Sequence, residues 1–184
     1  MILIFSAPSG SGKSTLVNYL LQERNDLEFS ISCTTRSPRG QEKDGKEYYF
    51  ISTEEFQRRI DAGMFVEYEN VYQGTYYGTL RSEIDRIEKK RHHVVFDVDV
   101  KGGLHLKQIF GERALAIFVA PPSVEELRRR LVGRATDSSE KIEERVAKAA
   151  IELQDAPHFD TIIVNDNLQK AQQELKEKVT AFLH

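Results

Sequence analysis

Several things are scarce in this 184-residue chain. Cys33 is its single cysteine, which rules out an internal disulfide and any cysteine-based zinc site and fits a reducing compartment. No apolar run approaches the roughly 20 residues a helix needs to cross a bilayer, so no membrane span is expected. Charge of one sign is also missing: 26 Lys and Arg stand against 29 Asp and Glu, for a formal net charge of -3. A global basic field for DNA, RNA or anionic lipid is thereby excluded, and any phosphate binding has to come from local clusters. The five histidines show no ligand-like spacing. The opening Met1 to Phe5 has neither a basic leader nor a long apolar region, so it reads as a strand, and a cytoplasmic protein is expected. Repeats and low-complexity tracts are likewise absent.

What the chain does have is an alternation of short apolar runs with helical patterns. Ile2 to Ser6, Phe29 to Ser32, Val94 to Val98, Leu115 to Val119 and Thr161 to Val164 are mostly continuous in hydrophobicity, as parallel strands covered on both faces are. Helix starts are marked at Ser123 to Glu126, Asp137 to Glu140 and Asp166 to Gln169 by capping-box spacing. A helix from about Ser139 carries Ile142, Val146, Ala149 and Leu153 on one stripe. The order predicts an α/β fold with a central parallel sheet. Between Cys33 and Thr79 the pattern turns polar, aromatic and strand-like, with a short helix opening at Ser52, which predicts an inserted lobe with its own mixed sheet.

The strongest motif is Ala7-Pro8-Ser9-Gly10-Ser11-Gly12-Lys13-Ser14, directly after the first strand and opening the first helix. It matches the P-loop except that Ala7 takes the first glycine position. Glycines let successive N–H groups turn toward a phosphate, and the helix N-terminus adds partial positive charge. Lys13 would reach the β- and γ-phosphates and the Ser14 hydroxyl would ligate Mg²⁺ brought with ATP. In His93 to Val100, Asp97 and Asp99 emerge from an apolar strand at the end where open α/β sheets place ligands. Two carboxylates there need cationic or hydrogen-bonded company, so they are read as facing Mg²⁺, its waters or a substrate, with Asp97 reaching the metal through water.

Together these elements carry a family resemblance. Ser6 to Thr15, Thr34-Thr35-Arg36-Ser37-Pro38-Arg39, Gly45 to Tyr48, Phe65-Val66-Glu67, Tyr76-Tyr77-Gly78-Thr79, Asp97-Val98-Asp99 and Ile163 to Asp166 resemble guanylate kinase, in order and over essentially the whole chain. The resemblance implies a P-loop three-layer fold: core over 1–32, 80–125 and 151–184, a GMP-binding lobe over 33–79, and a small helical lid over 126–150. It implies transfer of the γ-phosphoryl group from MgATP to GMP with no covalent enzyme intermediate. ATP would be held by Ala7, Pro8, Ser9, Gly10, Ser11, Gly12, Lys13, Ser14 and Thr15 with Arg134 and Asn165. Arg36, Arg39, Tyr48 and Tyr77 would hold the GMP phosphate, while Ser32, Glu67, Thr79 and Asp99 would read guanine. Lys13, Arg36, Arg134 and Arg145 would carry the catalytic charge.

The residue chemistry is compatible with these roles. Two guanidinium forks beside Pro38 suit a dianionic phosphate, although alone they read equally as a solvated loop. A carboxylate at 67 can accept from guanine N1–H and the 2-amino group, yet taken alone Glu67 is a solvated strand residue. Arg128, Arg129 and Arg130 read as a solvated helix face. Three departures from the family pattern stand out: Lys101 in place of a common Gln, Ala135 in place of a lid glycine, and a loop from Asn70 to Thr75 that is one residue longer than usual. Two rivals are a P-loop kinase for another small substrate and a non-catalytic guanylate-kinase-like domain that binds phosphorylated protein segments; the intact P-loop, Arg134 and Arg145 argue against the second. ATP and GMP are the expected partners, with no nucleic acid, because the aromatics of the inserted lobe sit among acids.

Overall fold

In the computed structural model, which describes residues 1–72, 74–133 and 138–184, the chain divides into two compact units, residues 1–27 with 95–184, and residues 28–94. The first unit is built around β1 (Ile2–Ser6), which is wholly buried because an apolar strand inside a parallel sheet is covered on both faces. β1 runs parallel to β8 (Ala114–Ala120), and β8 parallel to β9 (Thr161–Val164). With β2 (Leu27–Phe29) and β7 (His93–Asp97) they make a five-stranded parallel sheet in the order β2-β7-β1-β8-β9. The expected α/β architecture is therefore present.

Helices α1 (Lys13–Glu23), α4 (Val100–Phe110), α5 (Val124–Gly133), α6 (Ser139–Glu152) and α7 (Leu168–Leu183) complete this unit. Their starts follow local chemistry: Ser123 Oγ accepts from Glu126 N–H, Ser138 Oγ from Lys141 N–H and Asn167 Oδ1 from Lys170 N–H, each satisfying a donor with no partner inside its helix. The stripe read on α6 packs as expected, with Ile142, Val146 and Ala149 closing a cluster with Leu127 and Leu131 of α5. A second cluster sets Val100 and Phe159 against Ala116 and Phe118 of β8.

In the second unit, β3 (Cys33–Thr34), β4 (Tyr49–Phe50), β5 (Phe65–Tyr72) and β6 (Thr75–Leu80) form a mixed sheet in the order β4-β3-β6-β5. Helix α2 (Thr53–Asp61) covers it with Phe56, which is fully buried and stacks on Phe65 at 4.4 Å. Gly78 is required here, because a Cβ would lie 2.8 Å from the Glu67 carbonyl oxygen and 2.8 Å from Tyr68 Cβ, so β5 and β6 could not approach. Helix α3 (Arg81–Lys89) belongs to the same unit, tied in by Glu83, whose buried carboxylate accepts from Ile31 N–H at 3.0 Å and from the Tyr49 hydroxyl at 3.2 Å.

Two boundaries differ from expectation. The strand read at Phe29 to Ser32 lies earlier, at Leu27–Phe29, since Ile31 gives its N–H to a side chain instead of a neighbouring strand. The stretch read as a loop from Asn70 to Thr75 is mostly strand: Asn70 pairs with Tyr76 and Tyr72 with Thr75, and a register shift between Asn70 and Tyr72 takes up one extra residue. A bulge absorbs an insertion without moving the strand beyond it, and Tyr77 keeps its pairing with Thr34.

Glu28 anchors a charged cluster in the second unit. Burial raises its pKa, but hydrogen bonds from Arg86, Lys90 and His92 outweigh burial and draw it down to about 2 from the ordinary 4.5. A carboxylate with a depressed folded pKa adds stability that is complete above its unfolded value and lost as pH falls toward its folded value. Glu28→Gln is therefore expected to cost on the order of 1–2 kcal/mol at pH 7, discounted for the partial exposure of the side chain. The difference should shrink as pH drops from about 4.5 toward about 2, read as urea midpoints at pH 7, 5 and 3.

Candidate functional site

The first unit carries a glycine-rich loop at the carboxyl end of β1. Gly10 and Gly12 have φ of 97° and 89°, the left-handed region that glycine enters without steric cost. Ser11 N–H closes a turn onto the Pro8 carbonyl at 3.2 Å. Gly12 caps α1 and contributes no side chain to its N–H groups, and the first turn holds no acidic residue, so the helix end keeps the partial positive charge that suits an anion.

Lys13 forms an ion pair with Asp97 at the end of β7 and donates to the Val98 carbonyl at 3.1 Å. Asp99 is no longer in the strand: it caps α4, with Oδ1 accepting from Gly102 N–H at 2.8 Å. The company that two carboxylates need at this place is thus supplied from within the protein, by a lysine for one and a helix N-terminus for the other. Ser6 Oγ donates to the Asp99 carbonyl at 3.0 Å. Gly103 makes room for that hydroxyl, since a Cβ there would lie 2.2 Å from it.

Arg145 of α6 donates from Nη1 to Ser9 Oγ at 2.9 Å, which brings an arginine onto the P-loop. Asn165, following β9, donates from Nδ2 to the Ser11 carbonyl at 2.8 Å and is buried. Its own carbonyl accepts from Arg130 at 2.9 Å, and Arg130 also pairs with Glu126. Arg130 is therefore no free solvated side chain as the sequence suggested, and Arg129 pairs with Glu126 and Arg128 with Glu143 of α6. Burial raises the pKa of Glu152, which lies within electrostatic reach of Lys148, Asp99 and Lys13. Arg134 and Ala135 lie outside the described residues.

The second unit carries two further groupings. Arg36 sits with its guanidinium carbon 5.0 Å from the Tyr48 ring centroid and donates from Nε to the Tyr77 hydroxyl at 3.0 Å. The Tyr48 and Tyr77 rings meet edge to face at 5.8 Å. Across the β5–β6 ladder, Glu67 lies directly opposite Thr79, and cross-strand partners present their side chains on one face. Thr79 is fully buried, and its hydroxyl has no hydrogen-bond partner among the described residues. Ser32 gives its carbonyl to Tyr49 N–H at 2.9 Å, which fixes the backbone there. Arg39 is exposed, and its N–H, not its guanidinium, donates to Glu42.

Sequence reasoning missed Glu42, Glu83 and Arg130. Each is a charged residue with no local motif, and its meaning rests on partners such as the Arg36 guanidinium, the Ile31 N–H and the Asn165 carbonyl. A carboxylate three positions after Arg39 was the only signal available for Glu42.

A strand, a glycine turn and a helix that opens on Lys and Ser at the carboxyl end of a parallel sheet define a P-loop nucleotide-binding protein. A family model described as guanylate kinase matches residues 1–182. The chain belongs to the guanylate kinase family. It is 55% identical over 183 residues to a guanylate kinase of Bacteroides thetaiotaomicron, covering 100% of this chain and 90% of that one. It is 53% identical to one of Porphyromonas gingivalis, covering 99% and 97%. A crystal structure of guanylate kinase from Anaplasma phagocytophilum superposes with a TM-score of 0.76 at 31% identity, over 98% of this chain and 85% of that one.

Proposed function

We propose that this protein is an ATP:GMP phosphotransferase that moves the γ-phosphoryl group of ATP to the phosphate of GMP, giving ADP and GDP. The observation that carries the reading is that one chain holds both a P-loop, with Lys13 and Arg145 on it, and a separate unit in which Arg36, Tyr48 and Tyr77 converge beside a Glu67–Thr79 pair. The first suits a triphosphate and the second a purine monophosphate.

In this reading the P-loop N–H groups and the α1 terminus hold the β- and γ-phosphates, and Lys13 leaves Asp97 for the charge that builds on the transferring group. Arg145, with Arg134, neutralises the equatorial oxygens. Arg36, Arg39, Tyr48 and Tyr77 hold the acceptor phosphate, whose own oxygen is the nucleophile, so no side chain has to attack. Glu67 accepts from guanine N1–H and the 2-amino group, and the Thr79 hydroxyl, with no partner among the described residues, supports a base contact there, because a buried hydroxyl is rarely left unsatisfied. Ser32 and Asp99 complete the reading of the base.

The donor set fits a magnesium ion: the Ser14 hydroxyl and the Asp97 carboxylate offer the hard oxygens it takes, and the described residues form no cluster of three acidic, histidine or cysteine groups that would hold it without the nucleotide's own phosphates. Mg²⁺, held by Ser14 and through water by Asp97, would supply charge neutralisation across the β- and γ-phosphates. No helix among the described residues is long and apolar enough to cross a membrane, and we place the enzyme in the cytoplasm, where both nucleotides occur.

The test is a coupled assay for ADP with MgATP against GMP, AMP, CMP and UMP. GMP is expected to support turnover at least tenfold better in kcat/KM than any of the others. Equal rates with AMP, or no ADP with GMP, would overturn the reading.

A further inference from the structure

Arg36 is held more tightly than a ligand-binding arginine on a loop needs to be. Its Nη1 and Nη2 grip the two oxygens of Glu42 at 2.6 and 2.8 Å, Nη1 also donates to the Ser37 carbonyl at 3.0 Å, and Nε donates to the Tyr77 hydroxyl at 3.0 Å. Glu42 is fixed in turn by Arg39 N–H at 2.7 Å. Hydrogen bonds from Arg36 first, and from the Arg39 backbone second, draw its carboxyl down to about 2, so it is ionised at every working pH. The pair also raises the pKa of Arg36.

A guanidinium has five N–H groups in one plane. Glu42 takes the end formed by Nη1 and Nη2, and Ser37 takes the remaining hydrogen of Nη1. Among the described residues this leaves one N–H without a partner, the outer hydrogen of Nη2. In a planar guanidinium that hydrogen lies on the same edge as Nε–H, the edge that meets the Tyr77 hydroxyl. A phosphate oxygen arriving there would meet Nη2–H and the Tyr77 oxygen together. Glu42 does not occupy the edge that faces an anion; it holds the opposite end of the fork.

We propose that Glu42 is a positioning residue for the acceptor phosphate: by gripping the far end of the Arg36 guanidinium it aims the Nη2–H and Tyr77 edge at the phosphate of the bound monophosphate. The inference rests on the phosphotransferase reading above. A long arginine side chain loses rotamer freedom on binding, and Glu42 removes that loss in advance. Its effect belongs to the monophosphate's phosphate alone, since it touches neither the nucleobase pair Glu67 and Thr79 nor the P-loop.

Steady-state kinetics with varied GMP at saturating ATP, together with calorimetric binding of GMP and of guanosine, tests this on the full chain. Glu42→Gln is expected to raise KM and Kd for GMP by about tenfold, to change kcat less than threefold, and to leave KM for ATP and the binding of guanosine unchanged. Glu42→Asp keeps the charge but withdraws it by one methylene, and an intermediate penalty is expected. In an Arg36→Met background, adding Glu42→Gln should cost less than a further twofold, because the residue it acts through is gone. A lower KM for GMP in Glu42→Gln would make the carboxylate a competitor of the phosphate and overturn the proposal. So would an equal penalty with and without Arg36, or a penalty shared by guanosine. A wild-type protein that fails to phosphorylate GMP defeats the functional reading instead, whereas wild-type turnover with an unaffected Glu42→Gln defeats only the role given to Glu42.

Discussion

Replacing Lys13 with Met is expected to lower kcat by about three orders of magnitude while GMP binding is retained. The ammonium opens α1, between the glycine turn and the Asp97 carboxylate, and in the protein described here it is already tied to Asp97 and to the Val98 carbonyl. Binding of a triphosphate offers it a stronger partner, and the charge that forms between β- and γ-oxygens in the transition state is where its contribution grows most. Methionine matches the length and removes the charge, so Asp97 would be left beside the phosphates without its cation, and repulsion would add to the lost attraction. Lys13→Arg separates the two effects: it keeps Asp97 paired but cannot present a point charge from the same atom. It should recover nucleotide binding much better than turnover. Equilibrium dialysis with GMP and single-turnover rates with ATP measure the two halves independently, and a Lys13→Met protein with near wild-type turnover would remove Lys13 from the mechanism.

The second large effect concerns the choice of base. Glu67→Gln is expected to cut kcat/KM for GMP by roughly 30- to 1,000-fold, the equivalent of about 2–4 kcal/mol for charge-assisted contacts to a partly desolvated group, with little change in the affinity for ATP. AMP meets the Glu67 carboxylate with a lone pair at N1 and should be a poor substrate of the wild type. IMP keeps N1–H without the 2-amino group and should fall between the two. In the Gln variant the ranking should compress, because the amide offers one acceptor where the carboxylate offered two. The pairing of Glu67 with Thr79 across the ladder adds a further expectation: Thr79→Val, which keeps the shape and removes a hydroxyl with no partner among the described residues, should lower GMP selectivity without harming stability. Full preference for GMP over IMP and AMP in Glu67→Gln would move base selection to Ser32, Thr79 and Asp99.

How much of this was legible beforehand depends on how local each signal was. The P-loop, the helix start at Ser123 and the apolar run of β1 are written in contiguous residues, and the structure has them where they were read; the start read at Asp166 is capped one residue later by Asn167, and α6 is capped by Ser138, the residue after Asp137, which lies outside the described residues. The family resemblance also named residues, such as Arg36, Tyr48 and Tyr77, that do converge. What the linear chain concealed was reciprocal. The strand stops short of Ile31, whose N–H is taken by Glu83, far along the chain. The stretch after Asn70 is strand because Thr75 and Tyr76 fold back on it, an outcome that turn propensity alone does not reveal. Asp97 and Asp99 were read together as a pair, yet one belongs to a lysine and the other to a helix terminus. In each case a side chain's partner decided its meaning, and partners far apart in sequence leave no local trace.

The hydrogen bond from Asn165 to the Ser11 carbonyl joins positions 154 residues apart. During synthesis the glycine turn therefore exists as sequence for roughly 8–30 seconds before the residue that braces it has been made, at about 5–20 residues per second. Its neighbour in the sheet, β8, also follows late. A nascent chain halted upstream of β9 has the whole P-loop motif but lacks this brace, so the nucleotide grip is finished only after Asn165 has been made.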